Sequence, residues 1–294
     1  MAEISAKLVK ELRERTGAGM MDCKKALVEA EGDMDRAIDW LKEKGIAKAA
    51  KKADRIAAEG LTTVLVEGNT AAVVELNSET DFVAKNVEFQ ELLATIAKAV
   101  VAGKPADMAA ANALVVDGVS IETLVAEKVG KIGEKLSFRR FTLLEKGENE
   151  VFGAYSHMGG KIASLVKVAG ATAEQAKDVA MQVAALNPAF LNRESVRAEV
   201  LAHEKEIMTI QTKEDPKMAG KPDQVLAKIV EGKVAKYYKE NCLVEQQFVK
   251  DDKVTVQEYL GKAQVVSMVR YEVGEGMEKR EEDFAAEVMA QMKG

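Results

Sequence analysis

Aromatic residues are scarce in this sequence of 294 residues, at 5% of the chain. Alanine and valine dominate the apolar residues instead. Small apolar side chains of this kind favour helices packed on a modest sheet over an all-β sandwich. The length allows more than one hydrophobic core. We therefore expect an α+β protein with several structural units.

Cysteines are also few. Cys23 and Cys242 lie far apart in the chain and lack the spacing of metal ligands. They indicate free thiols in a reducing compartment and exclude a disulfide framework. Neither an apolar run that could cross a bilayer nor a signal peptide is present, so we expect a cytoplasmic protein without a membrane partner.

The sequence lacks both an excess of basic charge and the signatures of common enzymes. Its net charge is -6, which argues against nucleic acid as the main ligand, because phosphate binding needs a basic face. No glycine-rich phosphate loop ends in Lys-Ser or Lys-Thr. His157 and His203 are the only histidines, and neither lies near a cysteine in sequence. We expect no active site, no cofactor and no bound metal.

Residues 1–45 predict three short helices. Ser5 and Asp33 are good N-caps for the first and third, and Gly17 and Gly45 are expected to end them. So small a bundle buries little apolar area, which is typical of a docking module. We expect Met20, Met21 and Trp40 to pack in its core. Residues 46–58 follow as a helical linker with a basic tilt.

The remaining chain predicts a core of two subdomains. Strand patterns followed by a helix occur twice, at 61–101 and 136–186. We assign residues 59–135 to the first subdomain, and residues 136–192 and 241–273 to the second. Both are expected to have antiparallel sheets.

Two helical units complete the predicted architecture. Residues 193–240 predict an inserted antiparallel helical hairpin, whose two apolar stripes can cover each other or support self-association. Residues 274–294 form a C-terminal module with a final helix capped by Asp283.

Residues 77–86 connect a predicted strand to a predicted helix and place the carboxylate of Asp81 beside Phe82. Two interpretations are open. Asp81 can cap the helix while Phe82 fills the local core, or the pair can form an exposed probe for another molecule.

Three segments resemble the elongation factor Ts family, in the order found there. They are residues 12–27, residues 77–86 with Thr80-Asp81-Phe82-Val83 at their centre, and residues 270–276 followed by 283–288. The likeness covers nearly the whole chain, and three ordered matches are far more specific than one short motif. Members of this family are guanine-nucleotide exchange factors for bacterial elongation factor Tu.

The resemblance implies a function for several parts of the chain. Thr80, Asp81, Phe82 and Val83 would displace the Mg²⁺ of elongation factor Tu, and His157 would be a secondary contact. Residues 1–45 would adopt a ubiquitin-associated-like fold that docks on the partner's nucleotide-binding domain. The C-terminal helix would also contact the partner. The hairpin would be a coiled coil, which in some members contacts a second copy.

Two other functions stay open at this point. A non-catalytic scaffold or chaperone-like binding protein would use the same surfaces and leave the nucleotide unaffected. A translation factor that binds RNA would use the basic residues 48–55 and would show steeply salt-dependent affinity.

Overall fold

The structure, a computed structural model, describes residues 4–278. At the N-terminus lie three helices, α1 (Ala6–Thr16), α2 (Met20–Glu29) and α3 (Met34–Ala50). The predicted caps are confirmed: Ser5 accepts a hydrogen bond from the Leu8 amide, and Asp33 accepts one from the Arg36 amide. Gly17 ends α1 in the left-handed conformation, at φ 64°.

Gly45 does not end α3, contrary to the prediction. The helix continues to Ala50, because Gly45 serves a close helix contact instead of a turn. A Cβ atom on Gly130 of a later helix would lie 2.9 Å from the Gly45 Cα. The first part of the predicted linker is therefore helix α3, which packs on the core and carries the N-terminal module.

The first part of the core contains a three-stranded antiparallel sheet with the order β1-β2-β5. Gly68 and Asn69 form the two-residue turn between β1 and β2, and both residue types favour such turns. Helix α5 covers one face of this sheet through buried side chains that include Phe89 and Ile96. The elements are β1 (Glu59–Glu67), β2 (Thr70–Ser78), α4 (Asp81–Ala84), α5 (Val87–Gly103), α6 (Met108–Ala113), β3 (Val115–Val116), β4 (Val119–Ser120), α7 (Ile121–Ile132) and β5 (Leu136–Glu145).

The second part of the core has a sheet with the order β10-β7-β6, also antiparallel. Helix α8 covers its outer face. The elements are β6 (Glu150–His157), β7 (Ile162–Ala169), α8 (Ala173–Leu186), α9 (Ala198–Glu214), α10 (Asp223–Asn241), β8 (Gln247–Phe248), β9 (Asp251–Thr255), α11 (Val256–Leu260) and β10 (Gln264–Glu272).

The predicted subdomain boundary at residue 136 is wrong. Strand β5 pairs along its length with β2, from Leu136 opposite Ser78 to Glu145 opposite Thr70, and so belongs to the first sheet. Strand propensity reports that a strand forms but not which sheet it joins. With β5 reassigned, the halves share one topology: a β-hairpin, a helix, and a third strand beside the hairpin's second strand.

The inner faces of the two sheets pack on each other. Ala71 and Val73 of β2 lie with Ala163 and Leu165 of β7 in one buried cluster. The alternate residues of the same strands face α5 or α8, as strand geometry requires. The result is a four-layer core of helix, sheet, sheet and helix.

A fully buried carboxylate ties the two halves together. Glu75 of β2 pairs with Arg139 at 3.0 Å and Arg140 at 2.5 Å, and it accepts a hydrogen bond from the Gly274 amide at 2.8 Å. Burial alone would raise the pKa of Glu75, but the hydrogen bonds from Gly274, Arg140 and Asn77 hold it below its ordinary value.

The helical hairpin is present as α9 and α10. Its base is closed by a bridge between Phe190 and Cys242, and Lys233 of α10 donates to the Thr212 hydroxyl of α9 at 2.7 Å. Val230 is buried between the helices, while Ile210 and Val225 are largely exposed. The apolar stripes therefore cover each other only in part, and self-association stays a prediction. The predicted C-terminal helix, from Asp283, lies outside the described residues.

Candidate functional site

Residues 80–83 form a short turn at the end of β2, which we call the 80–83 loop. Thr80 is the N-cap of α4, and its hydroxyl accepts from the Val83 amide at 3.5 Å. Val83 and Ala84 are buried in the core beneath α5. Phe82 lies beside them but points outward, with 78% of the residue exposed. The first of the two interpretations, in which Asp81 caps the helix and Phe82 fills the local core, is therefore wrong, since Thr80 is the cap and Phe82 is exposed.

Asp81 adds a carboxylate next to the exposed ring. It forms an ion pair with Lys85 at 2.7 Å, and the Lys85 ammonium lies 5.6 Å from the centre of the Phe82 ring. The hydrogen bond from Lys85 holds the pKa of Asp81 below its ordinary value, and the charge of Lys161 adds to the effect. The loop thus presents an ionised carboxylate and an apolar ring on one small surface.

Residues 133–135, between α7 and β5, support the 80–83 loop from behind. The amide and hydroxyl of Thr80 both donate to the Glu134 carboxylate, at 3.0 Å and 2.6 Å. The Lys135 amide donates to Glu79 at 2.6 Å. Sequence reasoning missed Glu134, because a contact between residues 54 positions apart leaves no local signal.

His157 precedes a turn that contacts the end of the first sheet from which the 80–83 loop emerges. It ends β6 and is exposed, with Nδ1 3.3 Å from the Tyr155 hydroxyl. In the turn that follows, Lys161 contacts Glu59 at 2.5 Å, and Glu59 stands opposite Ser78 in the first sheet. The structure therefore brings the two predicted site elements to one end of that sheet.

The comparison with known protein families decides the affiliation. A family model described as Elongation factor TS matches residues 79–275, more than half of the chain. This chain belongs to the elongation factor Ts family. Proteins of this family are translation elongation factors, for which guanine-nucleotide exchange is typical. The matched segment includes the 80–83 loop, His157 and the helical hairpin.

A second exposed apolar surface lies outside the part matched to the elongation factor Ts family. On α2, Met20 is 60% and Met21 65% exposed, and Val28 is also exposed. The expectation that both methionines pack in the core is wrong, whereas Trp40 is partly buried against it. Large exposed apolar side chains grouped on one helix are typical of a contact surface.

Three of the four basic residues in the stretch 48–55 of this elongation factor Ts family member make contacts within the chain. Lys48 pairs with Asp22 at 3.0 Å, and Arg55 pairs with Glu79 at 3.3 Å. Lys52 donates to the Gly133 carbonyl. A phosphate backbone would have to compete with these contacts, so the stretch offers little support for RNA binding.

Within residues 4–278, no group of three or more His, Cys, Asp or Glu residues is arranged to hold a metal ion. Over the same described range, no helix is both long and apolar enough to cross a membrane.

Proposed function

We propose that this chain is a guanine-nucleotide exchange factor that binds GDP-bound elongation factor Tu and promotes GDP release, so that GTP can bind. The observation that carries the proposal is the exposure of Phe82 beside the ionised Asp81. A large apolar side chain held in water next to a charge, on a turn anchored by buried neighbours, is suited to insertion into another protein.

The two side chains would act on the partner in different ways. Phe82 would enter an apolar gap of elongation factor Tu, and burial of such a ring stabilises the bound state by about 1.5–3 kcal/mol. The Asp81 carboxylate would disturb the water shell of the Mg²⁺ that bridges the nucleotide phosphates. Thr80 and Val83 would hold the turn that presents them.

Phe82 alone does not suffice for efficient exchange. A thousandfold acceleration of GDP release requires about 4 kcal/mol of differential stabilisation of the nucleotide-loosened state. The remainder would come from other contacts made in that state. His157 and the exposed methionines of α2 are the candidates, since both lie on exposed surfaces of the described chain.

The proposal is tested by the coupling between nucleotide and partner. If this chain weakens GDP binding, GDP with Mg²⁺ must weaken the binding of this chain by the same factor. We expect titration calorimetry to show far tighter binding to nucleotide-free elongation factor Tu than to the GDP·Mg²⁺ form. Phe82→Ala should reduce the ratio of the two affinities, whereas Glu91→Ala, an exposed change on α5, should leave it unchanged.

The scaffold or chaperone-like alternative predicts a different result. A protein that binds without acting on the nucleotide has equal affinity for both forms of the partner. Equal affinities would therefore refute the exchange function and leave the scaffold interpretation.

A further inference from the structure

We infer that Glu134 is a positioning residue for exchange, because it holds the 80–83 loop in the conformation that points Phe82 outward. The inference rests on the proposed function and assigns a role to a residue outside the loop. Glu134 lies in residues 133–135, between α7 and β5, and accepts two hydrogen bonds from Thr80 of the loop.

The hydroxyl of Thr80 links Glu134 to the turn of α4 through two hydrogen bonds. One carboxylate oxygen of Glu134 accepts a hydrogen bond from the Thr80 amide at 3.0 Å. The other oxygen accepts one from the Thr80 hydroxyl at 2.6 Å. The same hydroxyl oxygen accepts a hydrogen bond from the amide of Val83, the third residue of α4. Phe82 lies between these two anchored residues. Glu134 therefore sets the orientation of the hydroxyl that caps the turn carrying Phe82.

A second hydrogen bond joins the same two segments, this time with the donor in residues 133–135 and the acceptor beside the loop. Glu79, just before Thr80, accepts the Lys135 amide at 2.6 Å and also pairs with Arg55. This contact does not involve the Glu134 side chain. It keeps residues 133–135 close to the end of β2 when Glu134 is truncated.

Because of these contacts, loss of the Glu134 side chain should alter the conformation of the 80–83 loop more than the stability of the fold. The chain on either side is fixed independently, by the pairing of β2 with β5 and by the burial of Val83 and Ala84. Removal of the Glu134 carboxylate releases two hydrogen bonds of Thr80, and water can replace both because the site is only partly buried. The main consequence is a less ordered turn at Phe82.

The test compares Glu134→Ala with Phe82→Ala, the double variant and the control Glu91→Ala. Glu91 is exposed on α5, and its side chain makes no hydrogen bond or ion pair within residues 4–278. The measurement is catalysed release of fluorescent GDP from elongation factor Tu, with kcat and KM separated. We expect Glu134→Ala to lower kcat roughly tenfold with little change in KM, since charge-assisted hydrogen bonds contribute at this level.

The double variant supplies the decisive comparison. If Glu134 acts through Phe82, adding Glu134→Ala to Phe82→Ala should cause almost no further loss. Glu134→Gln has the same shape and keeps one of the two acceptor oxygens, so it should recover part of kcat. Amide hydrogen exchange should accelerate in the peptide containing Thr80 and Val83 and stay unchanged in β5.

Four results would overturn the inference. Effects of the two single variants that multiply would show that Glu134 acts independently of Phe82. Loss of exchange only in proportion to unfolded protein would show a structural role alone. Wild-type kcat in Glu134→Ala, together with a slow Phe82→Ala, would refute the positioning role alone. Wild-type exchange by Phe82→Ala would refute the proposed function of the loop, and the positioning role with it.

Discussion

Replacement of Phe82 by alanine separates a binding role from a folding role more clearly than any other single change. The residue is 78% exposed, whereas Phe89 on the adjoining helix is fully buried. The two phenylalanines lie in one short segment and differ mainly in where the ring points. Phe89→Ala is therefore the matched control.

The expected magnitudes follow from burial. Phe82→Ala should change the free energy of unfolding by no more than about 0.5 kcal/mol, as exposed substitutions do. Phe89→Ala removes a buried ring and should cost about 3–5 kcal/mol. For exchange the order reverses. Loss of about 1.5–3 kcal/mol of burial in the partner corresponds to a roughly 10- to 100-fold lower rate of GDP release.

The assay combines denaturant unfolding of each variant with GDP release at equal concentrations of folded protein. Phe82→Ala should be as stable as the parent protein and slow in exchange. Phe89→Ala should be unstable and should exchange normally per folded molecule. A Phe82→Ala protein that loses as much stability as Phe89→Ala, or that retains full exchange, would refute the reasoning.

Three further predictions concern the stability and packing of the fold. The pKa of Glu75 is lowered in the folded state, so the ionised carboxylate stabilises the fold above its unfolded pKa and loses this effect as pH falls through the folded pKa. Glu75→Gln should lower the free energy of unfolding by about 3 kcal/mol at pH 7 and should weaken the dependence of that free energy on pH in the acid range. Burial raises the pKa of Cys242 to about 11, so a thiol reagent at pH 8 should label it only after unfolding, and rapid labelling of native protein would contradict its burial. Gly130→Ala places a Cβ 2.9 Å from the Gly45 Cα and should lower the melting temperature. Gly232→Ala is the matched control: no atom lies within 4 Å of its Cβ, and removal of a glycine from a helix should raise the melting temperature.

Features with a local cause were predictable from the sequence. The caps at Ser5 and Asp33 depend on a side chain and amides a few residues away, and the turn at Gly68 depends on two residues between β-rich runs.

The misses have a common cause in contacts between distant parts of the chain. A glycine at position 45 indicates a helix end in the sequence, but in the structure it allows the close approach of Gly130 on α7. Strand β5 has the same composition in either sheet, and only its pairing with β2 assigns it to the first.

The site shows the same division between local and distant information. The sequence indicates a capped turn between β2 and the following helix but assigns the cap to Asp81, whereas the structure places it at Thr80. It does not say that Phe82 points outward, because exposure depends on whether the surrounding core has room for the ring. The support from Glu134 is equally hidden, since it depends on the packing of residues 133–135 against β2.

The most direct test of the central claim is stopped-flow release of fluorescent GDP from elongation factor Tu, in the presence of Mg²⁺, with a substoichiometric amount of this protein. The account predicts a large acceleration with multiple turnovers, and little of it for the Phe82→Ala variant. GDP release at the spontaneous rate, under conditions where the two proteins bind, would contradict it.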